Sequence, residues 1–179
     1  QGPTKTLPNS LAQAGPGFIL SSGGSSGGPS LCLQSCDNLN LSSLATKIWL
    51  KTIEIDASQC LYFNPLPIHH ISGLMPWWRS LQWNAEHQWL APTLMRDPLA
   101  LEQFSTSLLP KKEKTLLISL VPTQLKRLLQ HQAGVKWLKK FAVIWVGGDS
   151  LPNDLANIAR REKLHLAPCY GSTETAAMI

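Results

Sequence analysis

The chain has 179 residues, 44% of them hydrophobic and 15% charged, and a formal net charge of +5. This composition excludes an intrinsically disordered chain, and the length predicts one domain that buries roughly 70% of the surface of the unfolded chain. Three short basic clusters lie at 111–114, 136–140 and 160–163. Acidic residues interrupt two of them and no aromatic stacking pattern accompanies them, so we expect solvated surfaces and no nucleic-acid partner.

Cysteine usage gives no sign of a disulfide framework or a zinc site. Cys32, Cys36, Cys60 and Cys169 form no CxxC pair, and no Cys/His spacing matches a zinc-binding pattern. The sequence shows no signal-peptide pattern and no apolar run of about 18 residues, the length needed to span a bilayer. We therefore expect a reduced, cytoplasmic protein without a membrane span.

Residues 1–17 are rich in proline and glycine and are predicted to form an extended N-terminal segment ahead of an α/β core at 18–179. The core begins with two short apolar strands, at 18–20 and 31–34, which flank a Gly/Ser loop at 22–30. Two strands joined by a glycine-rich loop predict a hairpin.

Beyond the hairpin, Asp37 or Asn38 is the predicted N-cap of a helix that ends near Leu50. Apolar runs then alternate with segments of helical spacing. The predicted strands are 60–63, 88–91, 116–121, 141–146 and 164–167. The predicted helices are 73–81, 98–109, 122–130 and 152–161. This alternation predicts βαβ units, and hence an α/β fold with a mostly parallel sheet and helices on both faces.

Polar or glycine-rich motifs follow four of the apolar runs directly. These motifs are 64–67, 121–123, 147–149 and 170–172. Ligands of parallel sheets bind at the carboxyl ends of the strands. We therefore expect the motifs to line one cleft along one edge of the sheet.

The Gly/Ser loop admits several interpretations. Residues 23–27 fit the G-x-S-x-G pattern of serine hydrolases, but that elbow leads directly into a helix, whereas Pro29 and a strand follow here. A Walker A loop needs a lysine, which is absent. A flexible linker is disfavoured because an apolar strand flanks each end. The remaining interpretation is a hairpin loop whose backbone N–H groups and serine hydroxyls close over a polyphosphate.

The sequence Tyr-Gly-Ser-Thr-Glu at 170–174 has a structural and a functional interpretation. It can be a strand end, a glycine turn and a capped helix start. In the functional interpretation Tyr170 stacks on a base, the Thr173 hydroxyl contacts a phosphate oxygen and the Glu174 carboxylate binds Mg²⁺. A single carboxylate suffices for magnesium because this ion usually takes one or two carboxylates plus phosphate oxygens.

His69 and His70 follow a predicted strand, and adjacent side chains point in different directions, so at most one should face the cleft. Trp77, Trp78 and Trp83 lie nearby. They either wall an aromatic pocket or fill the core beneath the helix, and we favour the core.

Four motifs, in this order, resemble the adenylate-forming acyl-CoA ligases. They are the Gly/Ser loop (22–30), Pro-Ile-His-His-Ile-Ser-Gly-Leu (67–74), Gly-Gly-Asp-Ser-Leu-Pro (147–152) and Tyr-Gly-Ser-Thr-Glu (170–174). Within that superfamily, 66–74 and 119–129 resemble the o-succinylbenzoate–CoA ligases of menaquinone and phylloquinone biosynthesis. The resemblance implies attack of a carboxylate on the α-phosphate of ATP, giving an acyl-adenylate and pyrophosphate, and then displacement of AMP by the thiol of CoA. The implied ligands are ATP, Mg²⁺, CoA and a carboxylic acid.

The resemblance also implies roles for residues of this chain. The implied contacts to the β- and γ-phosphates are Ser22, Ser25, Ser26 and Gly27. Those near the adenine and its nucleotide are Gly147, Gly148, Asp149, Tyr170 and Gly171. Thr173 would contact the α-phosphate and Glu174 the Mg²⁺. His70 and Ser172 would lie beside the reacting carboxylate, and Arg79 would pair with the second carboxylate of a succinylbenzoyl substrate.

The chain departs from that family in two ways. Ser30 stands where the family's phosphate loop usually has a lysine. The family's ribose-binding aspartate, hinge and C-terminal lid domain with its catalytic lysine normally follow the last motif, so we expect a central fragment of the large domain that is inactive by itself. An incomplete sheet edge would favour a homodimer. Two alternatives stay open: a ligase for another aryl or acyl acid, which would not need Arg79, and a non-catalytic nucleotide- or acyl-binding module.

Overall fold

A computed structural model describes residues 15–22, 30–108 and 114–176 of the chain. The strands are β1 (Gly17–Ser22), β2 (Ser30–Ser35), β3 (Cys60–Asn64), β4 (Glu86–Trp89), β5 (Thr115–Leu120), β6 (Val143–Val146) and β7 (Leu166–Pro168). The α-helices are α1 (Cys36–Thr52), α2 (Ile71–Trp83), α3 (Pro98–Leu108), α4 (Pro122–Leu129), α5 (Gln132–Leu138) and α6 (Asn153–Arg161). Short 3₁₀ turns at Ala57–Gln59 and Leu94–Arg96 precede β3 and α3.

The predicted fold class is confirmed. Strands β3 to β7 form a parallel sheet in the order β4-β3-β5-β6-β7, and β1 and β2 form a separate antiparallel hairpin. Helices connect the successive parallel strands because parallel neighbours need a crossover. The carboxyl ends of β3, β5, β6 and β7 therefore meet at one edge.

Helix α1 begins earlier than the sequence predicted. Ser35, rather than Asp37 or Asn38, is the N-cap: its hydroxyl accepts a hydrogen bond from the backbone N–H of Asn38 at 3.2 Å. Asp37 lies in the first turn, where its negative charge interacts favourably with the positive end of the helix dipole. Several candidate capping residues lie close together in this sequence, and the end of β2 decides which one caps the helix.

Other boundaries also differ from the prediction. The strand predicted at 88–91 is Glu86–Trp89, and those predicted at 141–146 and 164–167 begin two residues later than expected. Buried loop residues explain the shifts, since Leu90 and Phe141 pack into the core from just outside the strands. Apolar side chains therefore mark burial and not the strand ends.

Helix α5 was not predicted. It has only seven residues and follows α4 after a short break. Gly134 packs so closely on α4 that an added Cβ would lie 2.2 Å from the carbonyl oxygen of Leu128. A helix this short depends on tertiary packing rather than on its own sequence pattern.

The two faces of the sheet carry different side chains. On the face covered by α3 to α6, which we call the apolar face, Phe63, Ile118 and Ile144 join one large hydrophobic cluster. On the opposite face, covered by α1 and α2 and called the mixed face, Tyr62 and Trp145 pack beside the Ser119 hydroxyl. No helix within the described ranges has the length and apolarity that crossing a membrane requires.

Candidate functional site

A cavity of about 230 Å³ opens at the carboxyl edge of the sheet, on the mixed face. The loops after β3, β5, β6 and β7 contribute to its walls together with α2. Its lining includes Ser21, Leu66, His70, Ile71, Ser72, Met75, Arg79, Ser119, Leu120, Trp145, Gly147, Gly148, Cys169, Gly171, Ser172 and Thr173. Segments far apart in the sequence thus meet at the edge where we expected a cleft.

A second cavity of about 500 Å³ adjoins the first, and both share Gly148, Cys169 and Gly171. Asp149 and Tyr170 line it. The Tyr170 side chain is 79% exposed, so one face of its ring is available to a planar ligand. The Asp149 carboxylate accepts a hydrogen bond from the backbone N–H of Ser150 at 2.7 Å, which fixes it at the start of the loop.

The phosphate-binding residues predicted in the Gly/Ser loop are described only in part. Ser22 is the last residue of β1, with Ser30 of β2 as its partner across the hairpin. Ser25, Ser26 and Gly27 lie outside the described residues. The hairpin itself contacts the Tyr-Gly-Ser-Thr-Glu segment, because Gln34 of β2 donates hydrogen bonds to the main-chain carbonyls of Thr173 and Glu174.

Close approach between two loops makes Gly147 necessary. An added Cβ at this position would lie 2.6 Å from the Cys169 sulfur and 3.1 Å from the Cys169 carbonyl oxygen. The neighbouring Gly148 has a φ of +84°, a conformation that side chains other than glycine rarely adopt. The paired glycines therefore let the carboxyl ends of β6 and β7 approach each other beside both cavities.

Arg79 is the most unusual side chain in the site. It is only 1% exposed, although arginine is almost never fully buried unless it is paired. Its Nη2 donates a long hydrogen bond of 3.5 Å to the Ser42 hydroxyl, and within the described residues its Nε has no hydrogen-bond partner. None of the salt bridges that the structure shows includes Arg79. Burial lowers the pKa of the guanidinium, and the nearby Tyr62 acts in the opposite direction.

Tyr62 and Ser119 lie beside this cation. The two hydroxyl oxygens are 2.7 Å apart. Burial raises the pKa of Tyr62 to about 12, so it stays protonated. The guanidinium can only donate, so the Tyr62 oxygen can serve it as an acceptor, and either hydroxyl of the Tyr62–Ser119 pair can be the donor between them. Ser119 also lines the cavity, where its hydroxyl is within reach of a ligand.

The sequence matches the family described as AMP-binding enzyme over residues 4–179. The chain belongs to this family. The match confirms the resemblance to adenylate-forming enzymes that the ordered motifs carried. Membership also fits the geometry of this chain, in which glycine loops and hydroxyl side chains gather at the carboxyl ends of parallel strands.

Individual relatives are more distant. This chain is 24% identical over 115 residues to a 2-succinylbenzoate–CoA ligase of Oceanobacillus iheyensis, and the matched region covers 64% of this chain and 22% of that protein. Its structure resembles O-succinylbenzoate coenzyme A synthetase of Bacillus subtilis in complex with ATP and magnesium (22% identity, TM-score 0.69, 90% of this chain and 31% of that one). It similarly resembles ATP-bound MatB of Rhodopseudomonas palustris (22% identity, TM-score 0.69, 89% and 29%). The chain therefore spans less than a third of the length of these relatives.

The donor set of this chain fits a magnesium–nucleotide complex better than a metal bound by protein alone. In the described part of the chain, no group of three or more His, Cys, Asp or Glu side chains converges on one point. Glu174 is exposed and directly follows Ser172 and Thr173, which line the first cavity. Magnesium with one protein carboxylate completes its shell with water and phosphate oxygens.

Asn64 and His87 hold the loop that carries His70. The Asn64 side-chain amide donates to the Gly73 carbonyl (2.8 Å) and lies 3.2 Å from His87 Nε2, while its oxygen accepts from the Leu66 N–H (3.1 Å). Burial lowers the pKa of His87 to about 4, so at neutral pH the ring is uncharged and Nε2 can accept. The exposed His70 thus sits at the end of an anchored turn.

Several residues of the site were missed by the sequence analysis. Tyr62, Ser119 and Trp145 alternate with core residues on β3, β5 and β6, and this two-residue period was the signal that could have assigned them to one face. Among the predicted aromatic residues, Trp83 is buried in the core and Trp78 packs edge-on against Phe18 of the hairpin. The core interpretation of these tryptophans is therefore correct.

Proposed function

We propose that this chain forms the nucleotide- and acid-binding part of an ATP-dependent acid–CoA ligase, and that its acid is a dicarboxylate of the o-succinylbenzoate type. The observation that carries the proposal is Arg79, a buried cation in the wall of the cavity that Thr173 also lines. Within the described residues Arg79 forms no ion pair and its Nε has no hydrogen-bond partner. A buried charge needs a compensating partner. In this proposal the distal carboxylate of the acid supplies it.

The cavity supports recognition of the rest of the acid. Ser119 lines the cavity with a hydroxyl that can hydrogen-bond a ligand, and Arg79 lines it with a guanidinium whose N–H groups match a carboxylate. Leu66, Met75 and Trp145 provide apolar walls for a carbon skeleton between the two ends. His70 and Ser172 also line the cavity and would lie beside the carboxylate that reacts.

The nucleotide would occupy the adjoining cavity. Asp149 and Tyr170 would flank the adenine, and Thr173 would donate to the α-phosphate. Glu174 would hold magnesium, which neutralises phosphate charge when it is bound. Thr173 would orient the α-phosphate for attack by the acid, and the serine hydroxyls of the Gly/Ser loop would hold the β- and γ-phosphates. The contribution of this chain would then be mainly positioning and charge stabilisation.

A calorimetric titration tests the proposal. Wild-type chain is titrated with Mg–ATP and with two non-hydrolysable acyl-adenylate analogues, one carrying the second carboxylate and one lacking it. We expect Arg79→Met to lower the affinity for the dicarboxylate analogue by about 100-fold and that for the monocarboxylate analogue only slightly. The reason is that a buried hydrogen bond between charged groups contributes roughly 1.5–3 kcal/mol. Arg96→Met, an exposed arginine outside the cavity, is the matched control.

The outcomes separate the substrate from the site. An equal loss of affinity for both analogues in Arg79→Met would contradict the dicarboxylate assignment and favour a ligase for another acid. Failure of the wild-type chain to bind Mg–ATP would contradict the nucleotide site itself. If Mg–ATP does bind, an unchanged affinity in Glu174→Gln would contradict the assignment of magnesium to Glu174. Binding of both ligands without adenylate formation, even when a lid domain from a relative is supplied, would favour a non-catalytic binding module.

A further inference from the structure

Gln34 joins two segments that are 139 residues apart in sequence. It lies near the end of β2 and is 2% exposed. Its side-chain Nε2 donates to the Thr173 carbonyl at 2.6 Å and to the Glu174 carbonyl at 3.1 Å. These bonds tie the strand that leaves the Gly/Ser loop to the main chain of the residues proposed to contact phosphate and magnesium.

The orientation of this amide is determined by its neighbours. Two carbonyl oxygens face the nitrogen end, and only the NH₂ group can donate to them. Asn38 Nδ2 donates to the oxygen end at 3.5 Å, which agrees with the same orientation. The two short contacts of the amide nitrogen are therefore to main-chain carbonyls of one segment, and a longer contact of 3.5 Å joins it to the Cys32 sulfur within β2.

The segment that Gln34 contacts lies outside helices and strands. The structure places Thr173 to Ala176 in turns, without the ladder of backbone bonds that fixes a strand. Ser42 of α1 adds one more contact from the same side, since its hydroxyl donates to the Ala176 carbonyl at 2.9 Å. The position of this segment therefore depends on side chains of β2 and α1.

A buried glutamine is also unexpected in the hairpin itself. The hairpin packs through Phe18 and Leu20 against α2, and an apolar side chain at position 34 would extend that contact. A polar residue in such a place usually marks a functional requirement. Here the two carbonyls supply the compensation.

We propose that Gln34 is a positioning residue of this site, whose amide fixes the main chain of Thr173 and Glu174 and thereby the direction of their side chains towards the nucleotide. The consequence for nucleotide binding rests on the proposed function. The anchoring itself does not, so each part has its own test.

The anchoring is tested by ¹⁵N relaxation and carbonyl ¹³C shifts of the 179-residue chain and of Gln34→Met, which keeps the length of the side chain but has no donor. We expect the backbone order parameters of 172–176 to fall from the rigid range of about 0.85 to below about 0.6, and the carbonyl shifts of Thr173 and Glu174 to change. The order parameters and carbonyl shifts of β6 should be unchanged. Gln88→Met is the matched control, because Gln88 also donates to a main-chain carbonyl, that of Trp89, on an outer strand.

The functional part is tested by the affinity for ATP with and without magnesium. We expect Gln34→Met to weaken Mg–ATP by about tenfold or more, as the loss of two hydrogen bonds implies, and to leave the dicarboxylate contact at Arg79 unchanged. A general loss of structure would weaken both ligands alike. Gln34→Glu has the same shape but places a carboxylate against the two carbonyls, so it should produce the same effects even if Gln34→Met does not fold.

Unchanged order parameters and carbonyl shifts in both variants would overturn the anchoring. A mobile segment together with unchanged Mg–ATP affinity would overturn the positioning role. A wild-type chain that binds no nucleotide would contradict the proposed function instead, and the relaxation measurement would still decide whether Gln34 anchors the segment.

Discussion

The two faces of the parallel sheet differ in how completely their buried groups are satisfied. On the apolar face, Phe63, Ile118 and Ile144 are fully buried in one continuous hydrophobic cluster. On the mixed face, Arg79 and Ser43 each have a buried polar atom without a partner in the described part of the chain. Both faces belong to the same strands, with side chains that alternate from one residue to the next.

This difference separates stability from recognition. An apolar cluster is stable without a ligand, whereas a buried guanidinium without an anion is unfavourable in the free protein. The first cavity is lined by side chains of the mixed face, among them Arg79, Ser119 and Trp145. We therefore expect substitutions on the apolar face to change stability and substitutions around Arg79 to change binding.

The largest expected effect is on the apolar face. Phe63 packs edge-on against Trp137 and Phe141, and Phe63→Ala should lower the free energy of unfolding by about 3–5 kcal/mol because it leaves a cavity in a close-packed core. Urea denaturation measures this loss. The fraction that stays folded should bind the acyl-adenylate analogue as wild type does, and a weaker affinity there would contradict the separation of the two faces.

The second prediction has the opposite sign. Arg79→Met removes a buried charge that forms no ion pair within the described residues. It should leave the free energy of unfolding unchanged or raise it by about 1–3 kcal/mol, while acid binding is lost. Denaturation of the ligand-free proteins gives the comparison. A clear loss of stability in Arg79→Met would mean that the contacts of the guanidinium with Ser42 and Tyr62 already stabilise the free protein, and would weaken its assignment to a ligand.

The smallest effect concerns His87, whose partner across the sheet is Tyr62. In the native state the pKa of this ring is lowered to about 4, whereas in the unfolded chain the ring takes up its proton near the usual histidine pKa of 6.5. Between these values the unfolded state binds more protons, so stability falls as the pH falls. Because the ring is partly exposed, which weakens the effect, we expect the free energy of unfolding to fall by about 1 kcal/mol between pH 7 and pH 4.5.

His87→Gln checks this pH dependence. Its side-chain oxygen can still accept from Asn64, but it does not titrate. Denaturation curves at the two pH values should show a smaller acid-induced loss in the variant than in wild type. Equal losses would place the acid sensitivity in other groups.

Much of the fold was predictable because it depends on local patterns. Alternating apolar runs and helical segments gave the order of strands and helices, and the motifs after the strands indicated the edge that holds the site. The helix start at Ser35 and the short α5 were not predictable from such patterns. Competing caps and short helices have similar local free energies, and the packing of neighbouring elements selects among them.

The sequence by itself determined the residue types that can bind an anionic nucleotide and an acid, and their order along the chain. Only the tertiary structure decided that Arg79 is buried without an anionic partner, that Ser119 points into the same cavity, and that Gln34 contacts the carbonyls of Thr173 and Glu174. These properties arise from contacts between residues distant in sequence. Burial and hydrogen-bond direction depend on those neighbours and not on the residue alone.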